Sequence, residues 1–160
     1  MDAIQPGKDP QVGNLATPLN SSDVTATFIR NLPAYRPGLS GFRRGLEVGM
    51  AHGYFVYGPF LLLGPLRGSD VAELAGLLAS VGLVAILTVA LSLYGSYMGG
   101  APSSTVTTPD IPETFTTKEG WSEFASGFLV GGCSAAFFAY FICSTARLGP
   151  LQDLVNSILS

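Results

Sequence analysis

The segment from Gly45 to Leu63 constrains the fold of this chain more than any other part of the sequence. It reads GLEVGMAHGYFVYGPFLLL, and it is apolar and about long enough to cross a bilayer. It also carries a carboxylate, Glu47, and the only histidine of the protein, His52. An ionisable group near the middle of a membrane span costs on the order of 2.5–3.5 kcal/mol. We therefore expect both groups to have partners inside the membrane.

The composition indicates an integral membrane protein. Only 12% of the residues are charged, against roughly 25% in soluble domains. We predict an all-α membrane protein with three transmembrane helices, built as a single membrane domain over residues 1–160. The transmembrane helices are expected at residues 44–63, 71–97 and 121–145. The remaining parts are an extramembrane N-terminal arm at 1–42, a polar loop at 99–120 and a short helical tail at 146–160.

The distribution of positive charge predicts the orientation in the membrane. The net charge of −3 gives no reason to expect nucleic acid as a partner. The arm with the adjoining start of the first span, and the long loop, contain Lys8, Arg30, Arg36, Arg43, Arg44 and Lys118. The opposite side contains Arg67 and Arg147. Because positive residues tend to stay on the side of synthesis, we expect the N-terminus and the 99–120 loop there, and the C-terminus across the membrane.

Glu47 and His52 are not spaced to bind one metal ion together. Two ligands on one helix converge at a spacing of three or four residues. A spacing of five turns their side chains about 140° apart. The pattern therefore predicts two separate partners, or one partner and one structural role.

The helix face around His52 suggests a planar ligand. Gly45, Val48 and Gly49 lie below it and Val56 lies above it, so the two glycines are expected to leave a flat groove. A tetrapyrrole fits such a groove, with its chlorophyll magnesium or haem iron bound by the imidazole. The alternative is an interhelical hydrogen bond from His52, with the glycines packing against another helix. The residues alone leave both interpretations open.

Glu47 also has an alternative role. Arg43 and Arg44 precede it by four and three residues, a spacing that favours an ion pair on one helix. Ion pairing and metal ligation are compatible, because a carboxylate has two oxygens.

In the third helix, a stripe of small residues predicts close helix packing. It consists of Gly127, Gly131, Gly132, Ser134 and Ala135.

No catalytic motif is present in the sequence. The chain has no second histidine, nucleophile elbow or phosphate-binding glycine loop. Asp70, in the loop after the first span, is a weak signal for a hard cation such as calcium. These observations favour a non-enzymatic protein.

Several long strings resemble one family. DPQVGNLATPLNSSD in the arm, NLPAYRPGLSGFRRGLEVGMAHGYFVYGPF across the first span, LGPLRGSD after it and GWSEFASGFLVGGCSAAFFAYF in the third span resemble subunit XI of photosystem I (PsaL), in its cyanobacterial form. The resemblance covers most of the chain.

The resemblance implies an antenna and assembly subunit of the thylakoid membrane. Glu47 and His52 match the chlorophyll magnesium ligands, and chlorophyll a and β-carotene are the expected cofactors. Asp70 and the Pro65 carbonyl are candidate calcium ligands. Expected partners are the photosystem I core, its small membrane subunits, membrane lipid and copies of this chain in neighbouring monomers.

The family also implies an orientation, with the N-terminus cytoplasmic or stromal and the C-terminus luminal. The oligomer is a trimer or a tetramer, and the sequence does not distinguish them. Two other functions remain open on the residues, a haem-binding subunit of another redox complex and a cofactor-free membrane scaffold.

Overall fold

The computed structural model describes residues 4–7, 13–98, 102–146 and 149–159, and the chain in these ranges is mostly helical. The α-helices are α1 (Asp23–Asn31), α2 (Gly41–Leu63), α3 (Ala72–Tyr97), α4 (Lys118–Ala146) and α5 (Gly149–Leu159). A 3-10 turn, Glu113–Thr116, precedes α4. In the arm, the two-residue strands β1 (Gln5–Pro6) and β2 (Leu15–Ala16) pair antiparallel, with Gln5 opposite Ala16. Lys8 and Arg147, which contribute to the predicted orientation, lie outside the described residues.

The helix boundaries lie close to those expected from the sequence. Helix α2 begins three residues before the predicted start, because the Ser40 hydroxyl accepts a hydrogen bond from the Arg43 backbone N–H at 3.4 Å and caps the first turn. Pro59 lies inside α2, yet the helix continues to Leu63 and ends at Gly64. The predicted short tail helix corresponds to α5.

Two helices in the described part of the chain are long and apolar enough to cross a membrane. They are Ala72–Tyr97 and the segment Lys118–Thr145 of α4. Helix α2 has the length of a span, but its two arginines, Glu47 and His52 lower its apolar character. The crossing by α2 therefore stays a prediction.

Helices α2 and α4 run parallel and touch backbone to backbone. Three glycines of α2, spaced four residues apart, lie so close to α4 that a Cβ on any of them would overlap a backbone oxygen. They are Gly45, Gly49 and Gly53, and the oxygens belong to Phe124, Phe128 and Gly132 in the same order. Residue numbers at the contact therefore rise in the same direction along both helices, which makes the helices parallel. Small residues allow this approach, which maximises van der Waals contact between helices in a membrane.

The small-residue stripe of α4 forms the other side of this contact. A Cβ at Gly127 or Gly131 would overlap the carbonyl oxygens of Phe42 or Leu46 of α2. Gly132 faces Val84 of α3 instead. The predicted close packing of α4 is thus confirmed, although Ser134 of the stripe is exposed.

Helix α3 runs antiparallel to the other two. Its beginning packs near the end of α2, where Gly76 faces Leu61, and its end packs near the start of α4, where Gly95 faces Trp121. The apolar core lies near the α2–α3 connection. It consists of Tyr57, Leu61, Ala72, Leu77, Ala136 and Ala139.

Candidate ligand site on helix α2

His52 lies on the exposed surface of α2, beside α4. The His52 and Phe128 ring centroids are 5.5 Å apart, and their planes meet edge to face at 61°. The imidazole Nδ1 is 2.8 Å from the Val48 carbonyl oxygen, one helical turn back. Because a carbonyl oxygen only accepts, Nδ1 carries the proton and donates it. Nε2 then keeps its lone pair, and it has no hydrogen-bond partner among the described residues.

This arrangement gives the imidazole the form that a metal requires. A metal-ligating histidine is neutral and usually donates its other ring N–H to a carbonyl or a carboxylate, which fixes the tautomer and the ring orientation. Val48 supplies that carbonyl from within the helix. The residue is exposed, so the imidazole could bind a metal without rearrangement of the backbone.

The predicted flat groove of glycines beneath His52 is wrong. Gly45 and Gly49 are buried against α4, where a Cβ would overlap the Phe124 and Phe128 oxygens. The alternative role of these glycines, helix packing, is therefore confirmed. The spacing pattern could not separate the two, because a glycine face is equally suitable for a neighbouring helix and for a planar ligand. A ring bound at His52 would lie beside the α2–α4 contact, where His52 packs against Phe128.

Glu47 forms an ion pair with Arg36 of the arm. Arg36 Nη2 lies 2.5 Å from Oε1 and 2.6 Å from Oε2 of Glu47. The two side chains are 37% and 36% exposed. The expectation of a pair with Arg43 or Arg44 is wrong within the described residues. Arg44 turns toward the arm instead, and the Arg43 side chain is exposed.

The arm is fixed over the start of α2. Arg44 is only 5% exposed, and its Nη1 donates to the carbonyl oxygens of Pro33 and Ala34 at 3.2 and 3.0 Å. The Arg36 backbone N–H donates to the Leu32 carbonyl at 2.8 Å, which closes a turn between these residues. Hydrogen bonds from a buried guanidinium are worth about 1.5–3 kcal/mol each. These bonds hold the backbone that carries Arg36.

The two predicted ligands do not share a site. Glu47 is bound by Arg36, whereas His52 contacts Val48 and Phe128. The described ranges contain no group of three or more His, Cys, Asp and Glu side chains that could hold a metal ion. Separate partners, as the spacing of five residues predicts, remain the interpretation of both groups.

The predicted calcium ligands lie in the connection between α2 and α3. Asp70 and Pro65 are both exposed. Pro65 lines a surface cavity of about 360 Å³ together with Arg67, Gly68 and Asn156. The Arg67 cation in this wall opposes a second cation nearby. The calcium ligands therefore stay a prediction of the family resemblance.

Sequence reasoning missed the role of Arg36. The residue lies outside α2, and the eleven-residue separation from Glu47 matches no helical spacing. The available signal was the turn chemistry of NLPAYRPGLS, in which Gly38 adopts a φ of +78° and returns the chain toward Ser40.

An aromatic cluster lies where α3 ends and α4 begins. The Trp121 ring contacts those of Tyr94, Phe115 and Phe124 at centroid distances of 4.9, 4.9 and 5.9 Å. Trp121 Nε1 donates to the Phe115 carbonyl at 3.1 Å and fixes the 3-10 turn to α4. A cavity of about 370 Å³, lined partly by these rings, lies beside the cluster. The sequence analysis did not predict these contacts.

Comparison with known proteins yields one consistent family. The family model described as Photosystem I reaction centre subunit XI matches residues 3–148 of the chain. A relative of that name from Crocosphaera subtropica is 57% identical, and the match covers 98% of this chain and 100% of the relative. A second, from Synechococcus elongatus, is 58% identical over 99% of this chain and 97% of its own length. A third, from a Picosynechococcus species, is 66% identical over 89% and 94% of the two chains.

Proposed function

Because the chain belongs to the family of photosystem I reaction centre subunit XI, we propose that it binds antenna chlorophyll and carotenoid and joins photosystem I monomers into oligomers. Membership places the chain in photosystem I and in the thylakoid membrane, and it confirms the family resemblance seen in the sequence. Subunit XI is a structural subunit and not an enzyme. Its contribution is therefore to position pigments and partners.

The His52 geometry carries the pigment proposal. Donation from Nδ1 to the Val48 carbonyl leaves Nε2 of the neutral ring with a free lone pair on the exposed side of α2. His52 Nε2 would bind chlorophyll magnesium, and the pigment would supply light absorption and excitation transfer. The protein holds the pigment at a fixed place and, through Phe128, limits the orientation of the ring that binds it.

Glu47 is proposed as the second magnesium ligand. An ionised carboxylate accepts at about four lone-pair positions. One nitrogen of Arg36 contacts both oxygens, so lone pairs on the side away from Arg36 remain for a metal. The Glu47 side chain is 36% exposed, so it is accessible to a ligand.

Carotenoid binding is proposed for the outer surface of α4. Several of its phenylalanine rings face away from the protein, and flat apolar rings suit a polyene. The most exposed are Phe137 (56%), Phe138 (58%) and Phe141 (63%). Membrane lipid is the other expected partner of this surface.

Three crossings are proposed, with the arm and the 99–120 loop together on the cytoplasmic or stromal side. Helix α2 runs beside α4 along the glycine contact, so if α4 spans the bilayer, α2 lies at the same depth. The arm and the loop also touch, because the Val106 backbone N–H donates to Asn14 at 3.1 Å. The tail then lies on the luminal side.

Oligomerisation is proposed to use the tail helix. Helix α5 exposes Leu154, Ile158 and Leu159. Such an apolar face suits contact with a neighbouring monomer, and a ring of monomers needs a heterologous contact that closes. Replacing Leu154 and Ile158 by glutamate is expected to convert oligomers into monomers in sucrose gradients. Retention of the oligomer in that variant would contradict this role of the tail.

The pigment proposal is tested by replacing His52 with leucine in the intact complex. Photosystem I purified from cells with this variant is expected to contain one chlorophyll fewer per monomer. Met50, exposed on the same helix, provides the matched control as Met50→Leu. An unchanged chlorophyll count and absorption spectrum in His52→Leu would favour the cofactor-free scaffold. A haem Soret band without a red chlorophyll band would favour the haem-binding alternative.

A further inference from the structure

The contact between Arg36 and Glu47 joins an extramembrane residue to a proposed pigment ligand. Arg36 Nη2 approaches both carboxylate oxygens within 2.6 Å, and each side chain is a little more than one-third exposed. Within the described residues, Glu47 forms no other ion pair. In the described part of the chain, Arg36 is therefore the cation in direct contact with this carboxylate.

The backbone fixes the position of Arg36. The Leu32 carbonyl accepts hydrogen bonds from the N–H groups of Tyr35 and Arg36 at 2.9 and 2.8 Å. Buried Arg44 donates hydrogen bonds to the carbonyls of Pro33 and Ala34. Gly38, at a φ of +78°, directs the chain into the cap of α2. The guanidinium is thus presented by an ordered turn attached to α2 at two points.

Such a guanidinium has two effects on a carboxylate. Charge-assisted hydrogen bonds fix the orientation of both oxygens, so the carboxylate presents a defined edge to its surroundings. The positive charge also offsets the negative charge that the carboxylate presents to a bound metal. Residues that hydrogen-bond to a metal ligand tune the properties of the metal that this ligand binds.

We propose that Arg36 is a positioning residue for Glu47. Arg36 fixes the carboxylate and reduces the negative charge that Glu47 presents to the magnesium of a bound chlorophyll. The inference rests on the proposed function, because it assumes that Glu47 is a ligand. It assigns to the extramembrane arm a role in setting the absorption of one pigment.

The test compares low-temperature absorption spectra of purified photosystem I carrying Arg36→Gln, Arg36→Lys, Glu47→Ala and Arg43→Gln. Glu47→Ala is expected to remove one chlorophyll and identifies its band. Arg36→Gln is expected to shift or remove the same band. Arg36→Lys, which keeps the charge but not the planar donor group, is expected to retain the chlorophyll with a smaller shift. Arg43→Gln removes an equal charge from an exposed side chain and is expected to leave the band unchanged.

A purely structural role of Arg36 would lower the amount of complex without moving the band. If Arg36→Gln complexes do not accumulate, the position of the band in Arg36→Lys decides. If the band is lost in Glu47→Ala but does not move in the Arg36 variant that accumulates, the role of Arg36 is overturned. Glu47 would then remain the proposed ligand. An unchanged pigment count and spectrum in Glu47→Ala would instead overturn Glu47 as a ligand. His52→Leu reports separately on the other proposed pigment.

Discussion

Gly49 of α2 lies directly against the Phe128 carbonyl of α4, so a Cβ at Gly49 would overlap that oxygen. The contact is backbone against backbone, and it cannot be relieved by rotation of a side chain. The same relationship recurs one turn before and one turn after along α2. The distance between these two helices is therefore set by the absence of side chains.

Replacing Gly49 by alanine is expected to destabilise the subunit by about 1–3 kcal/mol, the range for overpacking a close contact. The helices must separate, although alanine is intrinsically the better helix former by about 0.5–1 kcal/mol. The expected result is a lower temperature for thermal release of the subunit from the purified complex.

The control for this variant is Gly82→Ala within α3. Nothing in the described structure lies within 4 Å of a Cβ at Gly82, which is exposed, so only the helix-propensity effect remains. Gly82→Ala is expected to be neutral or slightly stabilising. Equal release temperatures for Gly49→Ala and the unsubstituted protein would show that α2 and α4 are not in close contact.

Gly38 provides a second prediction, because its φ of +78° lies in the left-handed region. An L-residue with a Cβ is disfavoured there by about 1–2 kcal/mol. Gly38→Ala is expected to loosen the turn between Arg36 and Ser40 and to increase proteolytic cleavage of the arm. In Gly68→Ala, which has neither a positive φ nor a neighbour within 4 Å of its Cβ, the cleavage rate should not change.

The sequence predicts the helices well because their signals are local. The α3 boundaries differ from the expected 71–97 by one residue at the start, and α4 extends beyond 121–145 by three residues and one residue. Long apolar runs ended by Gly-Pro or by polar loops are sufficient for this. A capping serine, Ser40, explains the earlier start of α2.

The surroundings of the candidate ligands were less predictable because they depend on tertiary contacts. Whether Gly45 faces a pigment or a helix is decided by the position of α4, which periodicity does not contain. The partner of Glu47 depends on the course of the arm through Gly38 and on the engagement of Arg44 with Pro33 and Ala34. Helical spacing favoured Arg43 or Arg44 as the ion-pair partner of Glu47, but in the folded chain the partner is Arg36.

Arg44 attaches the arm to α2 through two hydrogen bonds, and its loss gives a third prediction. Arg44→Gln removes two hydrogen bonds from a charged group to backbone carbonyls, each worth about 1.5–3 kcal/mol. We expect loss of several kcal/mol of local stability and faster hydrogen exchange at residues 32–36. The exposed neighbour, tested as Arg43→Gln, should keep the exchange rate of this segment. Similar exchange rates in both variants would argue against Arg44 as the attachment.

The last prediction concerns the donor atom at position 52. Glutamine presents an amide oxygen on a side chain long enough to approach the same side of α2, and such an oxygen can serve as an axial ligand of magnesium. It lacks the imidazole whose Nδ1 is held by Val48 at 2.8 Å, so its orientation is less constrained. We therefore expect His52→Gln to retain the chlorophyll with a shifted, broader band, whereas His52→Leu loses it. Low-temperature absorption with pigment extraction from both purified complexes measures this difference, and equal pigment loss in the two variants would show that an amide oxygen does not replace the imidazole.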